Sequence, residues 1–429
     1  MENLLSAFAR TRQTSFLLAT SPDSERKAAL EAVSKALEAN RQDIFAKNAE
    51  DLEKAKQAGI TEAVLYRLAF TDEKLSSVRK GLSELASLAD PIGRTREKRE
   101  LDPGFILEKK TFPIGVIGMI FEARPDALVQ IAGLALRSGN AVILKGGREA
   151  ERTNRILVKV ISEATSSFSF GSDWILGIES HEDVDVLLKA EGYVDLLIPR
   201  GSNAFVRHVM DSTRIPVMGH ADGRCTTYVD MSADLDKAVT ICTDAKIQYP
   251  AACNATETFL VHKDIAPVFL PMLNKSLMTH NVKIHADSSA LPFMQGAVAA
   301  TKEDFDTEYL ALECAVRTVS SVQEAIDHIQ THGSHHTDAI ITEDKDAADL
   351  FVTKVDSADV FVNCSTRFAD GFRFGLGAEV GISTSKLHAR GPVGLDGLMT
   401  TKWILRGDGQ TVAEYSGKDG KSFHHRELM

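Results

Sequence analysis

Two α/β domains in tandem, each built on a doubly wound parallel sheet, are what this sequence predicts. Three observations carry that expectation. The apolar pattern changes period near residue 112. Beyond it, short Val- and Ile-rich runs alternate with amphipathic segments of helical length, the mark of strands buried on both faces between crossover helices. The alternation then restarts after Asp230.

Up to about Asp90 the pattern is helical, with Ala29, Val33 and Leu37 at helical spacing. Ser24-Glu25-Arg26 and Thr71-Asp72-Glu73 read as helix starts. A charged stretch from Arg94 to Glu100 leads into Leu101–Thr111, where Pro103-Gly104 can turn a hairpin. Strands are expected at Val116–Phe121, Ala141–Lys145, Trp174–Gly177, Val194–Pro199 and Val217–Met218. Helices are expected between them at Asp126–Arg137, Glu149–Ser167, Glu182–Lys189 and Asn203–Asp211.

The second series predicts helices at Leu235–Ile247, Ile265–Met278, Val322–Gln330 and Lys345–Val355. Its strands are expected at Thr258–Val261, Ala315–Val319, Ala339–Thr342 and Val360–Asn363. The segment from Ser365 to Gly397 is Gly-rich, polar and without strong periodicity, as site-lining loops are.

Acidic residues outnumber basic ones, 60 to 49, for a formal net charge of −11. That balance argues against a nucleic-acid surface, which needs clustered Lys and Arg, yet allows local pockets for small anions. The cysteines, Cys225, Cys242, Cys253, Cys314 and Cys364, are odd in number and irregularly spaced, so a reducing, cytoplasmic compartment is expected. The N-terminal segment has only a short apolar run, Phe16 to Ala19, and no later stretch approaches the ~20 apolar residues of a membrane span. His328 and His332, the pair His335-His336 and the pair His424-His425 lack the context of a zinc signature, so no metal is expected.

Four constellations can carry chemistry. At Lys145-Gly146-Gly147-Arg148 a buried strand ends in a tight turn before a helix, where free N–H groups and a lysine favour an anion. An ordinary strand-to-helix turn would look the same. Arg200-Gly201-Ser202 repeats the arrangement, and two such turns on one sheet suit the two ends of a dinucleotide. Cys253 lies in Tyr249-Pro-Ala-Ala-Cys-Asn-Ala, a small-residue stretch where a thiolate can attack a carbonyl, although most lone cysteines are only small core residues. Finally, Asn363-Cys-Ser-Thr-Arg-Phe368 and Thr384-Ser-Lys-Leu-His-Ala-Arg-Gly391 place Arg, Ser and Asn in glycine-flanked loops. Such loops can grip an anion or simply be solvated.

Several blocks then bring a known family into view. Phe112-Pro-Ile-Gly-Val-Ile-Gly, Phe121-Glu-Ala-Arg-Pro125 and Ser138-Gly-Asn-Ala-Val-Ile-Leu-Lys145 resemble the aldehyde dehydrogenase superfamily. With Ile198-Pro-Arg-Gly-Ser, Cys253-Asn-Ala-Thr-Glu-Thr, Glu308-Tyr-Leu, Phe374-Gly-Leu-Gly-Ala-Glu-Val-Gly-Ile-Ser-Thr and Leu387-His-Ala-Arg-Gly-Pro, they are similar to its glutamate-5-semialdehyde dehydrogenase family.

The resemblance implies an aldehyde dehydrogenase-like fold: a cofactor domain over 1–231, a catalytic domain over 232–400 and a C-terminal strand and tail over 401–429. Residues 100–112 and the strand after Thr400 would form a projecting oligomerisation arm. It implies reduction of L-glutamyl 5-phosphate with NADP(H), in proline biosynthesis, by a homodimer or higher homo-oligomer; whether the upstream glutamate kinase is a further partner stays open. Lys145, Gly146, Gly147, Arg200, Gly201, Ser202 and Glu308 would hold the cofactor. Cys253 would be the nucleophile, assisted by Asn254 and His220. Arg124, Asn363, Ser365, Thr366, Arg367 and His388 would meet the substrate.

The general-base glutamate of hydrolytic relatives has no counterpart in His220-Ala-Asp-Gly223, which speaks against water as the acyl acceptor. The superfamily's oxyanion-hole asparagine is likewise absent from Glu122-Ala-Arg-Pro125. Two rival readings stay open, a hydrolytic dehydrogenase and a non-enzymatic module that kept the fold.

Overall fold

In the computed structural model of the chain, residues 2–122, 124–219 and 222–429 are described. Five helices come first: α1 (Glu2–Thr20), α2 (Asp23–Ala39), α3 (Arg41–Gln57), α4 (Glu62–Leu68) and α5 (Asp72–Ser87). Thr71 caps α5 as expected, its hydroxyl accepting from the Lys74 N–H. The α2 start differs: Pro22 is the N-cap and Ser24 sits inside the first turn.

A hairpin follows, β1 (Thr95–Asp102) and β2 (Phe105–Pro113), turned at Pro103-Gly104 with Gly104 at φ +74°. The first parallel sheet holds β3 (Val116–Phe121), β4 (Ala141–Lys145), β5 (Ile175–Ile178) and β6 (Leu196–Arg200) in the order β5-β4-β3-β6. Its crossovers are α6 (Pro125–Ser138), α7 (Glu151–Thr165) and α8 (His181–Leu188), and α9 (Asn203–Ser212) leaves the end of β6. The N-terminal helices are tied to this unit through Arg137. Its guanidinium is fully enclosed, donates to the carbonyls of Leu85 and Leu88 and pairs with Asp23 at 2.5 Å.

The second sheet comprises β7 (Cys225–Val229), β8 (Thr256–His262), β9 (Lys283–Ala286), β10 (Val298–Ala299), β11 (Glu313–Val319), β12 (Thr337–Ile341) and β13 (Asp359–Val362). All its pairings are parallel, in the order β10-β9-β11-β8-β7-β12-β13. Helices α10 (Leu235–Ile247), α11 (Ala266–Thr279), α12 (Val322–His332) and α13 (Lys345–Lys354) cover it. A two-stranded pair, β14 (Ile382–Ser383) with β15 (Gly391–Pro392), sits in the Gly-rich segment. Last come β16 (Met399–Arg406) and β17 (Arg426–Glu427), which join the hairpin in an antiparallel sheet of order β16-β2-β1-β17.

The expected strand at Val217–Met218 is only a single bridge, Leu197 to Val217. The second sheet instead opens at β7, which the sequence does not announce. Cys-Thr-Thr-Tyr-Val is half polar, and it is buried because each polar group finds a partner. The Thr226 N–H donates to Asp338, the Thr227 hydroxyl meets Thr256 and the Tyr228 hydroxyl donates to Asp230. Strands β9 and β10 carry no sequence signal either: both are short, β9 is half polar and β10 is an exposed edge strand. The expected helix from Glu149 starts with a 3-10 turn, Arg148–Ala150, before α7.

On α12, His328 is almost wholly buried, edge-on to Phe305 with ring centroids 5.4 Å apart. Its Nδ1 lies 3.2 Å from the Arg317 guanidinium. Burial, and then the charges of His332 and Arg317, push its pKa from 6.5 down to about 3. A depressed histidine stabilises the fold above its unfolded pKa, and that contribution fades as pH falls from 6.5 towards 3. At about 1.4 kcal/mol per pH unit, stability at pH 5 should be roughly 2 kcal/mol below that at pH 7 from this group alone. Urea midpoints of wild type and His328→Gln at both pH values measure it; the variant should lose that increment of acid sensitivity.

Candidate active site

Cys253 stands in the turn between α10 and β8, where the Ala252 N–H donates to the Tyr249 carbonyl and the Ala255 N–H to the Ala252 carbonyl. It is half-buried. Cys225, Cys242 and Cys314 are fully enclosed, and burial raises the pKa of each thiol, as it does less completely for Cys364. A raised pKa suppresses the thiolate, so those four are poor nucleophiles.

The start of β7 lies directly against the turn. A Cβ on Gly223 would overlap the Cys253 carbonyl and Cα, so only glycine permits this approach. The Cys225 thiol donates to the same carbonyl at 3.2 Å. The Gly223 N–H in turn donates to Glu308 Oε1 at 2.8 Å, while Asn203, at the start of α9, donates to Glu308 Oε2 at 2.7 Å. Glu308 therefore bridges the first sheet's last helix to the strand beside Cys253.

A buried ion pair holds the Glu308 loop. Lys246 on α10 and Glu257 on β8 meet at 2.5 Å, almost without exposure, and the Leu310 N–H donates to Glu257 at 3.2 Å. Burial pushes the Glu257 carboxyl up to about 7 although Lys246 opposes the shift.

Two guanidinium groups feel the charge of the thiol. Arg200, at the end of β6, is a cation whose pKa burial lowers, while Glu379 favours its charged form and the Cys253 thiolate adds to that effect. Arg367 is buried, donates to Gln248 at 2.9 Å and lies over the Tyr249 ring at 5.8 Å; burial lowers its pKa too, with the Cys253 thiolate opposing. Among the described residues neither arginine forms an ion pair.

Arg200 was expected with the cofactor residues. It occupies the last position of β6, ahead of the helix start that follows, where Glu379 and Cys253 both act on its charge. In the same turn Ser202 caps α9, its hydroxyl accepting from the Phe205 N–H, and Gly201 is exposed beside Glu122.

The expected substrate residues divide. Arg124 is exposed at the start of α6, 3.5 Å from Asp126. Asn363 is committed to the chain, its amide accepting from the Thr342 N–H at 2.9 Å and donating to the Thr342 carbonyl at 2.8 Å. The Ser365 hydroxyl accepts from the Arg367 N–H, and Thr366 is fully enclosed against the Thr256 hydroxyl at 3.1 Å. These hydrogen bonds tie all three into the frame of the site. Asn254 donates to the Ala369 carbonyl at 2.6 Å and so anchors the loop that carries Arg367. His388 is exposed on the loop between β14 and β15, and His220 lies outside the described residues.

At the carboxyl end of β4, a cleft is lined by Gly146, Gly147, Arg148, Asn154 and Gly177, among others. A Cβ on Gly146 would run into the Asn154 amide, which explains the glycine. Lys145 beside it has a pKa lowered by burial, with Glu149 opposing. Arg155 is taken up by Glu151 and Glu179, whereas among the described residues neither Lys145 nor Arg148 is in an ion pair. No group of His, Cys, Asp and Glu among the described residues is arranged to hold a metal.

Sequence reading missed Glu379, Gly223 and the Lys246–Glu257 pair. Each lay inside a block already singled out by resemblance or directly beside one. What was absent was any one-dimensional sign of its partner.

Comparison with known proteins agrees with this architecture. The family model "Aldehyde dehydrogenase family" matches residues 2–304. The gamma-glutamyl phosphate reductase of Acetivibrio thermocellus is 50% identical over 98% of this chain and 97% of its own. That of Synechococcus elongatus is 51% identical over 97% and 96%. The crystal structure of the Thermotoga maritima gamma-glutamyl phosphate reductase superposes with a TM-score of 0.93 at 36% identity, covering 95% of this chain and 99% of that one. An acetylating aldehyde dehydrogenase from Geobacillus thermoglucosidasius shares the fold, with a TM-score of 0.65 at 15% identity over 96% and 97%. By sequence and by fold, the chain belongs to the aldehyde dehydrogenase family and, within it, to the group of the gamma-glutamyl phosphate reductases.

Proposed function

We propose that this enzyme reduces L-glutamyl 5-phosphate to L-glutamate 5-semialdehyde and phosphate with NADPH, through a thioester on Cys253, as a step of proline biosynthesis in the cytoplasm. The observation that carries the reading is the pair of guanidinium groups, Arg200 and Arg367, beside the accessible thiol and outside any ion pair among the described residues.

The cleft at Gly146 and Gly147 fits the adenosine end of a dinucleotide, and Lys145 with Arg148 fits a 2′-phosphate there. Glu308, fixed by Asn203 and Gly223, is set to accept from a ribose hydroxyl. Bound there, the nicotinamide supplies the hydride that reduces the acyl carbon.

The chain's own residues do the rest. The Cys253 thiolate attacks the acyl carbon, the bond from that carbon to the phosphate oxygen breaks, and phosphate leaves with its electron pair. Arg200 and Arg367 balance its charge as it departs, in a half-enclosed site where that attraction is strong. After reduction the tetrahedral carbon expels the thiolate and frees the aldehyde.

Water is a poor rival to phosphate here. The carboxylates around the turn are engaged: Glu257 by Lys246, Glu308 by Asn203 and Gly223, Asp222 by Arg207. None of these is set to take a proton from water. The antiparallel sheet β16-β2-β1-β17, with Trp403 and Leu405 exposed on it, would be the arm through which copies of the chain associate.

Cys253→Ala should lower turnover by at least ~10³-fold while dinucleotide binding stays within about twofold. Steady-state rates and cofactor titration measure the two effects, and near-normal activity in the variant would overturn the thioester.

In the oxidising direction, NADPH should form steadily from glutamate 5-semialdehyde only when phosphate or arsenate is present. Without either, formation should stop at about one equivalent per Cys253. Sustained oxidation in phosphate-free buffer would instead mark a hydrolytic dehydrogenase.

For the cofactor, Lys145→Ala should weaken NADPH about tenfold, the loss of one charge-assisted hydrogen bond, and NADH less. Equal affinity of the wild type for both would remove the assignment of the 2′-phosphate.

A further inference from the structure

A second and larger cleft opens between α5 and the loop that follows β13. Lys80 and Glu84 of α5, Arg124, Arg200, Asp370 and Glu379 line it. Arg200 lines this cleft and also feels the charge of Cys253, so it links the cleft electrostatically to the reacting thiol.

Glu379 is the unusual member. It is largely enclosed, and its pKa is raised by that burial. Its Oε2 accepts from the Gly371 N–H at 2.8 Å, and a Cβ on Gly371 would stand 2.7 Å from the Glu379 Cβ. The glycine is thus required for the carboxylate to be held there. Among the described residues no cation forms an ion pair with Glu379, and Arg200 acts on it only through its field. A carboxylate removed from water without a bonded counter-charge is costly, and a cationic ligand group would relieve that cost. Asp370, its neighbour, is differently placed: it accepts from the N–H groups of Phe372 and Arg373 at 3.0 Å and pairs with the Arg373 guanidinium.

Glutamyl phosphate presents an ammonium and a carboxylate on one carbon, a short chain away from the carbon that Cys253 attacks. We infer that Glu379 is a specificity-determining residue that binds the substrate's α-ammonium group, while Arg124 at the cleft's rim binds its α-carboxylate. The inference rests on the reaction proposed above. The exposed guanidinium of Arg124 is 3.5 Å from Asp126, a loose pair that leaves donors for a carboxylate. Glu379 acts on the headgroup and takes no part in the chemistry at Cys253.

Truncated substrates separate these roles. Phosphate-dependent oxidation would be followed with glutamate 5-semialdehyde, with 5-oxopentanoate, which lacks the ammonium, and with 4-aminobutanal, which lacks the carboxylate. Glu379→Gln should lower kcat/KM for glutamate 5-semialdehyde roughly 100-fold and that for 5-oxopentanoate by less than about threefold. Arg124→Ala should spare 4-aminobutanal in the same way. Because each variant is compared with itself on two aldehydes, a smaller folded fraction cancels from the ratio.

An equal fall on glutamate 5-semialdehyde and 5-oxopentanoate would assign Glu379 to the chemical step and overturn the inference. So would an unchanged preference for the amino aldehyde. A wild type that oxidises none of the three would overturn the underlying reaction as well, which an active wild type with an unchanged preference would not.

Discussion

The buried ion pair between Lys246 and Glu257 is the interaction on which the site's geometry depends. Removing two charges from water is expensive, and the pair persists only because its geometry is good and further donors complete it. Here the further donor is the Leu310 N–H, in a residue held at φ +52°. One contact therefore joins the helix that leads into the Cys253 turn, the strand that leaves it and the loop that carries Glu308. Breaking one partner would leave the other charge buried alone, so the three segments move together or not at all. Gly223 adds the second constraint, since its missing side chain lets β7 lie against the Cys253 main chain.

Around that frame the charges are sorted by what they are already bonded to. Arg137, Arg155 and Arg207 are bound to carboxylates or carbonyls and belong to the structure. Arg200, Arg367, Lys145 and Arg148 are outside ion pairs among the described residues and face clefts or the reacting turn. In an acidic chain of net charge −11, these four are local positive groups at clefts or beside the Cys253 turn. The same sorting applies to carboxylates: Glu257 and Glu308 are bonded in place, whereas Glu379 has a single backbone donor in an otherwise enclosed position.

What the sequence by itself determined was the alternation of elements and the blocks of chemistry on them. Strands such as Ala141-Val-Ile-Leu-Lys145 are legible because continuous burial demands continuous apolar residues. Cys253 is legible because its thiol stands in a small-residue turn inside a recognisable block. β7 was illegible because its burial rests on hydroxyl and carboxyl partners, Thr256 on β8 and Asp338 on β12, that no local window contains. The tertiary structure alone decided which polar residues were free to act. Asn363, Ser365 and Thr366 look identical to ligand-binding residues in a string, and in the fold each is hydrogen-bonded to a neighbouring strand or turn. Only the folded chain brings Glu379 of the Gly-rich loop within the field of Arg200 at the end of β6. The reason is physical: a hydrogen-bonding group has a fixed capacity, and only the folded chain shows what has already used it.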